Sequence, residues 1–219
     1  MSKRLFISKN ESEVAELRQH PALKDKTLIS HSFLHFEPID FEVTEDFEIL
    51  FFSSPRSVVF YKFKYDIPEN CILACVGGKT AELLEQMGFN VAFAGVRSGN
   101  INEVAKSFKD WAGTKRVLFP SSDISLKTVS SLFNDQQKIE VAVYKTTIVS
   151  KLIDDCATYV FTSPSNAKGF LELNTIPIGA TIIAWGQSTQ NYLLEKGITS
   201  DHTLSDSSIE ELAQILQKN

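Results

Sequence analysis

Cysteine and histidine are scarce in this chain of 219 residues, and their scarcity excludes two broad classes of protein. There are 3 cysteines, Cys71, Cys75 and Cys156, and 4 histidines. An odd cysteine count without a CxxC pair is not typical of a disulfide framework or a structural zinc site. We expect buried thiols, although Cys71 and Cys75, four apart in an apolar run, leave a redox pair open. His31 and His35 are also four apart, but no glutamate pattern of a metalloprotease surrounds them, so we expect no metal.

The sequence also lacks long apolar runs and an excess of basic residues. No segment approaches the roughly 18 apolar residues of a membrane-spanning helix, and the first ten residues lack the apolar stretch of a signal peptide. The formal net charge is -5 and the pI is near 5.4, whereas a general nucleic-acid binder is more often basic. We therefore expect a cytoplasmic protein that binds neither a membrane nor nucleic acid.

Several motifs of well-known enzyme classes are missing. Residues 77–80 read GGKT, like the end of a P-loop, but Leu73 stands where the first glycine of that loop would be. There is no GxGxxG of a dinucleotide-binding fold and no GxSxG of a serine hydrolase. Nucleotide hydrolysis and a serine triad are therefore not expected.

The sequence does contain short apolar runs that alternate with helical patterns of 10–13 residues. Residues 48–54 and 71–77 are strand candidates, and each is followed by a helical pattern, at 55–65 and 78–88. This alternation predicts an α/β fold in which helices cover both faces of parallel sheets. The same pattern predicts helices at 11–23 and 125–133 and a short strand near Ile198.

An internal repeat divides the chain. The segment 51–63 resembles 160–172, and 75–90 resembles 184–199. Three pairs of residues are each 109 positions apart: Ser54 and Ser163, Gly77 and Gly186, Gly88 and Gly197. A repeat that stays in step over about 60 residues indicates two domains of one topology.

The repeat is not a simple tandem, because the second copy lacks equivalents of 116–147. The economical interpretation is that 1–30 and 151–219 form one domain and that 45–138 forms a second domain inserted into it. The segments 31–44 and 139–150 are then two connecting strands that lie side by side.

Polar residues follow the strands of both copies. Ser53 and Ser54 precede a proline that opens a helix, as do Thr162 and Ser163; Gly-x-x-Thr motifs end in Thr80 and Thr189. These residues are good helix caps, and capping alone explains any single junction. Four junctions paired by the repeat favour a polyanionic ligand, held by helix N-termini across a cleft between the domains. Tyr144, on the strand 139–149, is either a packing residue or a general acid.

Six segments in order resemble the uroporphyrinogen-III synthase family over residues 45–219. They are FFSSPRSV (51–58), CVGGKTAELLEQMGF (75–89), VLFPSSD (117–123), VAVYKTT (141–147), VFTSPSNA (160–167) and AWGQSTQNYLLEKG (184–197). The family fold is two flavodoxin-like α/β domains with parallel sheets, one inserted in the other and joined by a two-stranded β-ladder. One departure is Lys9, where the family usually has the arginine of an Arg-Pro pair.

The resemblance implies a cofactor-free lyase. In this reaction the linear tetrapyrrole hydroxymethylbilane loses water and closes with inversion of its last ring to give uroporphyrinogen III. Tyr144 matches the family tyrosine thought to assist departure of the hydroxyl. The implied substrate-binding residues are Ser53, Ser54, Arg56, Gly78, Thr80, Ser121, Thr162, Ser163, Ser165, Gln187, Ser188 and Thr189.

Two other functions remain open from the sequence. A non-catalytic two-domain binding protein or sensor would use the same helix N-termini for a small polyanion. A redox protein of the flavodoxin type is the third possibility. For the synthase, the expected partner is a small molecule, the linear tetrapyrrole, and the expected state is a monomer.

Overall fold

The computed structural model of the chain describes residues 4–95 and 101–218. Residues 1–3, 96–100 and 219 belong to the domain ranges predicted from the sequence but lie outside the described residues. The strands are β1 (Arg4–Ile7), β2 (Thr27–Ser30), β3 (Leu34–Pro38), β4 (Ile49–Phe52), β5 (Ile72–Cys75), β6 (Val91–Ala94), β7 (Val117–Ser122), β8 (Lys138–Ile148), β9 (Thr158–Phe161), β10 (Thr181–Ala184) and β11 (His202–Thr203). The α-helices are α1 (Ala15–Gln19), α2 (Pro55–Lys62), α3 (Gly78–Gln86), α4 (Ile101–Ala112), α5 (Pro164–Leu171), α6 (Gln187–Glu195) and α7 (Ile209–Lys218).

The chain forms two compact units. One consists of Met1–His35 with Thr147–Asn219, and the other is Phe36–Thr146. The chain passes from one unit to the other within β3 and within β8, which are neighbours in one sheet. The narrower domain bounds expected from the sequence, with 31–44 and 139–150 as separate connecting strands, stay a prediction.

The first unit holds a five-stranded sheet in the order β11-β10-β9-β1-β2, and all of its pairs are parallel. The second unit holds a six-stranded sheet in the order β3-β8-β7-β4-β5-β6, with parallel pairs from β8 to β6. Along the edge strand β3, the Ile39 amide donates to the Val143 carbonyl and the Val149 amide to the Phe33 carbonyl, so β3 and β8 run in opposite directions. The expected α/β class with two mainly parallel sheets is confirmed.

The two sheets share one spatial layout in permuted chain order. The repeated strands β4, β5 and β6 occupy the places that β9, β10 and β11 occupy in the other sheet. The remaining two places are filled by β7 and β8 in one unit and by the N-terminal β1 and β2 in the other. If the strands of the five-stranded sheet are numbered 1 to 5 as they follow in the chain (β1, β2, β9, β10 and β11), their order across the sheet is 2-1-3-4-5, which is the flavodoxin arrangement.

Each sheet is buried on both faces, which is why its strands are almost wholly apolar. In β4, consecutive phenylalanines pack on opposite faces: Phe52 joins Leu50 and the α2–α3 side, while Phe51 joins Phe108 of α4. In β1, Leu5 and Ile7 pack towards α1 and α7, and Phe6 faces the other side. Alternating side chains of a strand point to opposite faces, so a strand covered twice needs apolar residues at every position.

The repeat seen in the sequence corresponds to matching backbone geometry. Ser54 (φ -162, ψ 158) and Ser163 (φ -161, ψ 158) are the N-caps of α2 and α5. After α3 and α6 the chain turns at Gly88 (φ +87) and Gly197 (φ +75). This left-handed conformation ends a helix and strongly favours glycine.

Three expectations for secondary structure were wrong. No α-helix forms over 125–133, where only Ser130–Leu132 makes a 3₁₀ turn, and Lys127 has a positive φ of 56°. The serines of this segment bind nearby backbone instead of supporting a helix: the Lys127 amide donates to Ser125 and Ser130 donates to the Lys127 carbonyl. The segment 11–23 splits into short turns around α1, with His20 in an extended conformation. The last strand forms at β11 and not at Ile198.

We predict that Gly169→Ala destabilises the protein. Alanine usually stabilises a helix interior relative to glycine by about 1 kcal/mol, but a Cβ at Gly169 of α5 would lie 2.5 Å from Phe33 Cβ and 2.8 Å from Ile148 Cγ2. We expect a loss of about 1–3 kcal/mol in the free energy of unfolding, measured by urea titration. Gly77→Ala is the control, since a Cβ there meets no atom within 4 Å; an equal effect of both changes would contradict the steric explanation.

Candidate functional site

The carboxyl edge of the six-stranded sheet gathers most of the polar residues predicted for the second unit. Phe52 of β4 pairs with Cys75 of β5, so the chain leaves both strands side by side at Ser53 and Val76. In the pairing of β4 with β7, Ile49 lies opposite Val117 and Leu50 opposite Leu118. The same register continued places Ser53 opposite Ser121. The carboxyl ends of parallel strands are where ligands bind in open α/β sheets.

Two helix N-termini meet this edge with unpaired backbone donors. Among the described residues, no acceptor pairs with the backbone N–H groups of Arg56 in α2 or of Gly78 and Lys79 in α3. The first N–H groups of a helix have no partner within the helix, and the helix dipole places partial positive charge at the same end. Both helix ends are therefore suited to carboxylates.

The serine and the threonine at these junctions have different surroundings. The Ser54 hydroxyl accepts the Ser57 amide at 3.2 Å, and Ser57 donates back to the Ser54 carbonyl at 2.7 Å. Ser54 is thus engaged as a cap. Thr80 is only 3% exposed, and no described residue forms a hydrogen bond with its hydroxyl. No described residue therefore competes with a ligand for this hydroxyl.

Tyr144 reaches this edge because β8 contains an extra residue. Ser121 pairs with Ala142, but the next residue, Ser122, pairs with Tyr144, so Val143 is a bulge. A regular strand would place Val143 and Tyr144 on opposite faces; here both pack in the core on the α2–α3 side. A bulge redirects the following side chain in this way.

The backbone around the bulge is held by one aspartate. The Asp123 amide donates to the Tyr144 carbonyl at 3.0 Å, and the Asp123 carboxylate accepts the Thr146 amide at 3.0 Å. These two bonds lie on either side of Lys145 and hold the backbone of β8 directly after Tyr144.

Tyr144 and three other side chains form a compact group, which we name the aromatic–arginine cluster: Phe36, Arg56, Phe60 and Tyr144. The Tyr144 ring stacks on Phe60 with centroids 4.9 Å apart and meets Phe36 edge-on at 6.0 Å. The guanidinium carbon of Arg56 lies 3.5 Å from the centroid of the Phe36 ring. Tyr144 is 7% exposed, and no described residue binds its hydroxyl.

Ser53 and Ser121 do not join that cluster. They line a cavity of about 270 Å³ together with Phe51, Phe119 and Glu140, and the two phenylalanines belong to the core on the α4 side. The predicted site residues of this unit therefore divide between the two faces of the sheet.

The polar end of this cavity is an ion pair. Lys127 Nζ lies 2.8 Å from Glu140 Oε2, and Ser130 donates a hydrogen bond to the same carboxylate. Burial alone would raise the pKa of Glu140, but the hydrogen bonds from Lys127 and Ser130, with the charges of Lys127 and Lys138, hold its pKa below the ordinary value. Glu140 is therefore an ionised, neutralised carboxylate and not a proton donor.

The carboxyl edge of the five-stranded sheet carries the other predicted residues. The Ser163 hydroxyl accepts the Asn166 amide at 3.2 Å as the cap of α5. Thr162 is engaged too: its amide donates to the Ser8 hydroxyl at 2.8 Å, and its own hydroxyl donates to the Ser8 carbonyl at 2.6 Å. Both hydroxyls thus hold the fold together.

The free groups of this edge lie in the first turns of α5 and α6. Within the described part of the chain, no acceptor pairs with the backbone N–H groups of Ser165, Gln187 and Ser188. Thr189 is 2% exposed and its hydroxyl, like that of Thr80, has no partner in the same part of the chain. The Gln187 side chain donates to Gln190 and Asn191 at 2.8 Å.

The three cysteines are free thiols. Burial raises the pKa of Cys71 and of Cys75, so neither is an activated thiolate. In residues 4–95 and 101–218, no three His, Cys, Asp or Glu side chains come together as metal ligands. None of the helices within those ranges has the length and apolar character needed to span a bilayer.

A family model described as uroporphyrinogen-III synthase HemD matches residues 27–214. The chain belongs to the uroporphyrinogen-III synthase family. This confirms the family expected from the sequence and supports a synthase of tetrapyrrole biosynthesis; nothing favours the non-catalytic binding protein. No curated protein sequence matches the chain significantly.

Solved structures of uroporphyrinogen-III synthases have the same fold. The synthetase from Helicobacter pylori 26695 is 18% identical, with a TM-score of 0.69 over 100% of this chain and 99% of that one. A mutant synthase from the extremely thermophilic bacterium Thermus thermophilus is 13% identical, with a TM-score of 0.58 over 99% of each chain.

For this member of the synthase family, sequence reasoning missed two kinds of residue. Phe36 and Phe60 surround Tyr144, but an aromatic residue in a strand or a helix carries no signal beyond packing. Asp123 follows a strand directly, a position at which a polar residue could have been noticed. Lys9, the departure from the family pattern, lies 5.1 Å from the Trp185 ring centroid and 3.6 Å from Glu13.

We predict opposite effects of the two junction hydroxyls on stability. Ser54→Ala removes an N-cap and should lower the free energy of unfolding by about 1 kcal/mol. Thr80→Val keeps the shape and removes a buried hydroxyl without a partner among the described residues, so stability should be unchanged or higher. Urea unfolding of both variants checks this; a larger loss in Thr80→Val would show that its hydroxyl supports the fold.

Proposed function

We propose that this member of the family is a cofactor-free hydro-lyase that converts hydroxymethylbilane to uroporphyrinogen III. The observation that carries the proposal is the position of Tyr144, which pairs with Ser122 at the carboxyl end of β7. In the same sheet, α2 and α3 begin with unpaired N–H groups, and the Tyr144 hydroxyl has no partner among the described residues. A proton donor beside carboxylate-binding helix ends suits a substrate with many carboxylates and one leaving hydroxyl.

Taken separately, each sheet edge has donors, unpaired among the described residues, that suit the acetate and propionate arms of such a substrate. These are the backbone N–H groups of Arg56, Gly78, Ser165, Gln187 and Ser188 and the hydroxyls of Thr80 and Thr189. The chain has a net charge of -5, so binding depends on local helix dipoles and not on overall charge. Ser54, Thr162 and Ser163 support the binding backbone, and Ser53 and Ser121 contact an arm that enters the cavity.

Tyr144 acts as a general acid in the first step. Its phenol proton passes to the leaving hydroxyl, the bond between carbon and oxygen breaks, and water departs. The pyrrole that has lost the hydroxyl becomes a cationic azafulvene, and Tyr144 is left as the phenolate. The last ring attacks this cation and rearranges through a spiro intermediate. The proton released when the product regains its aromatic rings returns to Tyr144, so the net change is the loss of one water.

The protein's second task is to control geometry. The linear substrate closes without an enzyme to the isomer in which no ring is inverted. Holding its arms at fixed helix ends favours the attack that leads to inversion, and such positioning is a large source of rate acceleration. The cytoplasmic location, the monomeric state and the absence of a cofactor expected from the sequence belong to the same proposal.

The decisive experiment is an isomer assay. Hydroxymethylbilane is generated in situ, the protein is added, and the products are oxidised and separated by chromatography as type I and type III uroporphyrins. We expect mainly type III with the protein and type I without it. Type I alone from a folded sample would overturn the proposed function and favour a binding protein.

We predict that Tyr144→Phe lowers kcat for type III formation by about a hundredfold, a typical contribution of a general acid. The melting temperature should stay the same, because the hydroxyl has no partner among the described residues and the ring packing is kept. Tyr65→Phe is the matched control, because it removes a phenol oxygen from the same unit outside the aromatic–arginine cluster. An unchanged kcat in Tyr144→Phe would remove this residue from the mechanism.

A further inference from the structure

One face of α2 carries two members of the aromatic–arginine cluster. Arg56 and Phe60 are four residues apart and so lie next to each other on the helix. Two residues from the sheet pack over this face, Phe36 of β3 and Tyr144 of β8, and these strands are neighbours. Arg56 pairs with Phe36 and Phe60 pairs with Tyr144.

Arg56 is a cation without a counter-ion among the described residues. Its guanidinium carbon is 3.5 Å from the Phe36 centroid, which is the distance of a guanidinium lying against an aromatic face. In such a stack the five N–H donors remain at the rim of the guanidinium plane. Phe36 thus supports the guanidinium, and no carboxylate of the described residues occupies its N–H donors.

Phe36 also contacts the proton donor. Its ring and that of Tyr144 meet at 72° with centroids 6.0 Å apart, and Phe60 stacks on Tyr144 at 23°. The tyrosine ring is therefore confined by two rings, and Phe36 is the member of the cluster that touches both Arg56 and Tyr144.

We propose that Phe36 is a positioning residue. Its ring lies between the Arg56 guanidinium and the Tyr144 ring and so holds the guanidinium and the Tyr144 hydroxyl at a fixed spacing. The Arg56 guanidinium binds a carboxylate arm of the pyrrole that carries the leaving hydroxyl. The carboxylate arms of a pyrrole and its hydroxymethyl group are attached to the same small ring. The Arg56 guanidinium and the Tyr144 hydroxyl can therefore bind the same pyrrole at the same time. This inference rests on the proposed function.

The test uses Phe36→Leu, which keeps an apolar side chain but removes the ring face. We expect KM for hydroxymethylbilane to rise about tenfold, since a bidentate carboxylate contact loses its fixed geometry. Phe36→Tyr keeps the face and should stay within about twofold of the wild-type KM. Phe63→Leu is the matched control: Phe63 follows the same helix and contacts Phe60 but is 71% exposed, and its loss should leave KM unchanged.

A double-mutant cycle separates positioning from a general loss of structure. If Phe36 acts through Arg56, then Phe36→Leu added to Arg56→Gln should raise KM no further than Arg56→Gln alone. Independent effects that multiply would overturn the inference, and so would an unchanged KM in Phe36→Leu.

The outcomes also distinguish this inference from the proposed function. Wild-type protein that forms no type III product would remove the function, and the inference would fall with it. An active wild type with an insensitive Phe36→Leu would remove the inference alone. Should Phe36→Leu fail to fold, Phe36→Met gives the same test, because it keeps apolar bulk and lacks a ring.

Discussion

A parallel sheet requires every strand to lead into a crossover, and this constraint places the binding groups. The carboxyl ends of the strands meet at one edge, and the helix that follows each strand begins there. Its first N–H groups have no partner within the helix. At α2 and α5, a proline at the first position and a serine cap reduce the number of unpaired donors. At α3 and α6, a glycine cap without a side chain leaves the approach to the remaining donors open.

This constraint explains why the places of many candidate residues at the sheet edges could be predicted. Ser54 and Ser163 stand at equivalent places because the repeat preserves strand, cap and helix together. A polar capping residue between an apolar run and a helical pattern can be recognised in the sequence, because strand ends and helix starts obey local rules. The same rules could not say whether a hydroxyl was already engaged. The Ser54 hydroxyl caps α2, whereas the Thr80 hydroxyl has no partner among the described residues, and that difference depends on which acceptors and donors the fold brings near.

The direction of Tyr144 could not be read from the sequence. The alternation of β8 would place it on the face of Glu140, and only the bulge at Val143 turns it towards α2. Nothing in the residues 139–149 marks that extra residue, because its cause is the pairing with β7 and the Asp123 contacts. The absent helix at 125–133 has a similar origin, since Lys127 and Ser130 bind Glu140 across the cavity. Contacts distant in the sequence thus override local propensity.

The shared layout of the two sheets makes their differences informative. The strands β7 and β8 fill two places that β1 and β2 fill in the other unit. After β7 the chain supplies Asp123, which fixes the bulged strand; after β1 it supplies Ser8, which is fully buried and bound to Thr162. The repeated junctions keep the same helix caps in both units, whereas the permuted strands carry the features that distinguish the units.

The charge of Arg56 adds a further requirement to the proposed reaction. A bare guanidinium near the carbon that becomes a cation would oppose departure of the hydroxyl. Once a carboxylate occupies the guanidinium edge, the pair is neutral and that opposition largely disappears. Binding of the arm and ionisation at Tyr144 are then coupled, because the leaving group departs readily only from a substrate whose carboxylate is already seated. The Arg56 guanidinium lies against Phe36, and no carboxylate of the described residues neutralises it, so in the proposed reaction this condition is met only when the substrate is bound.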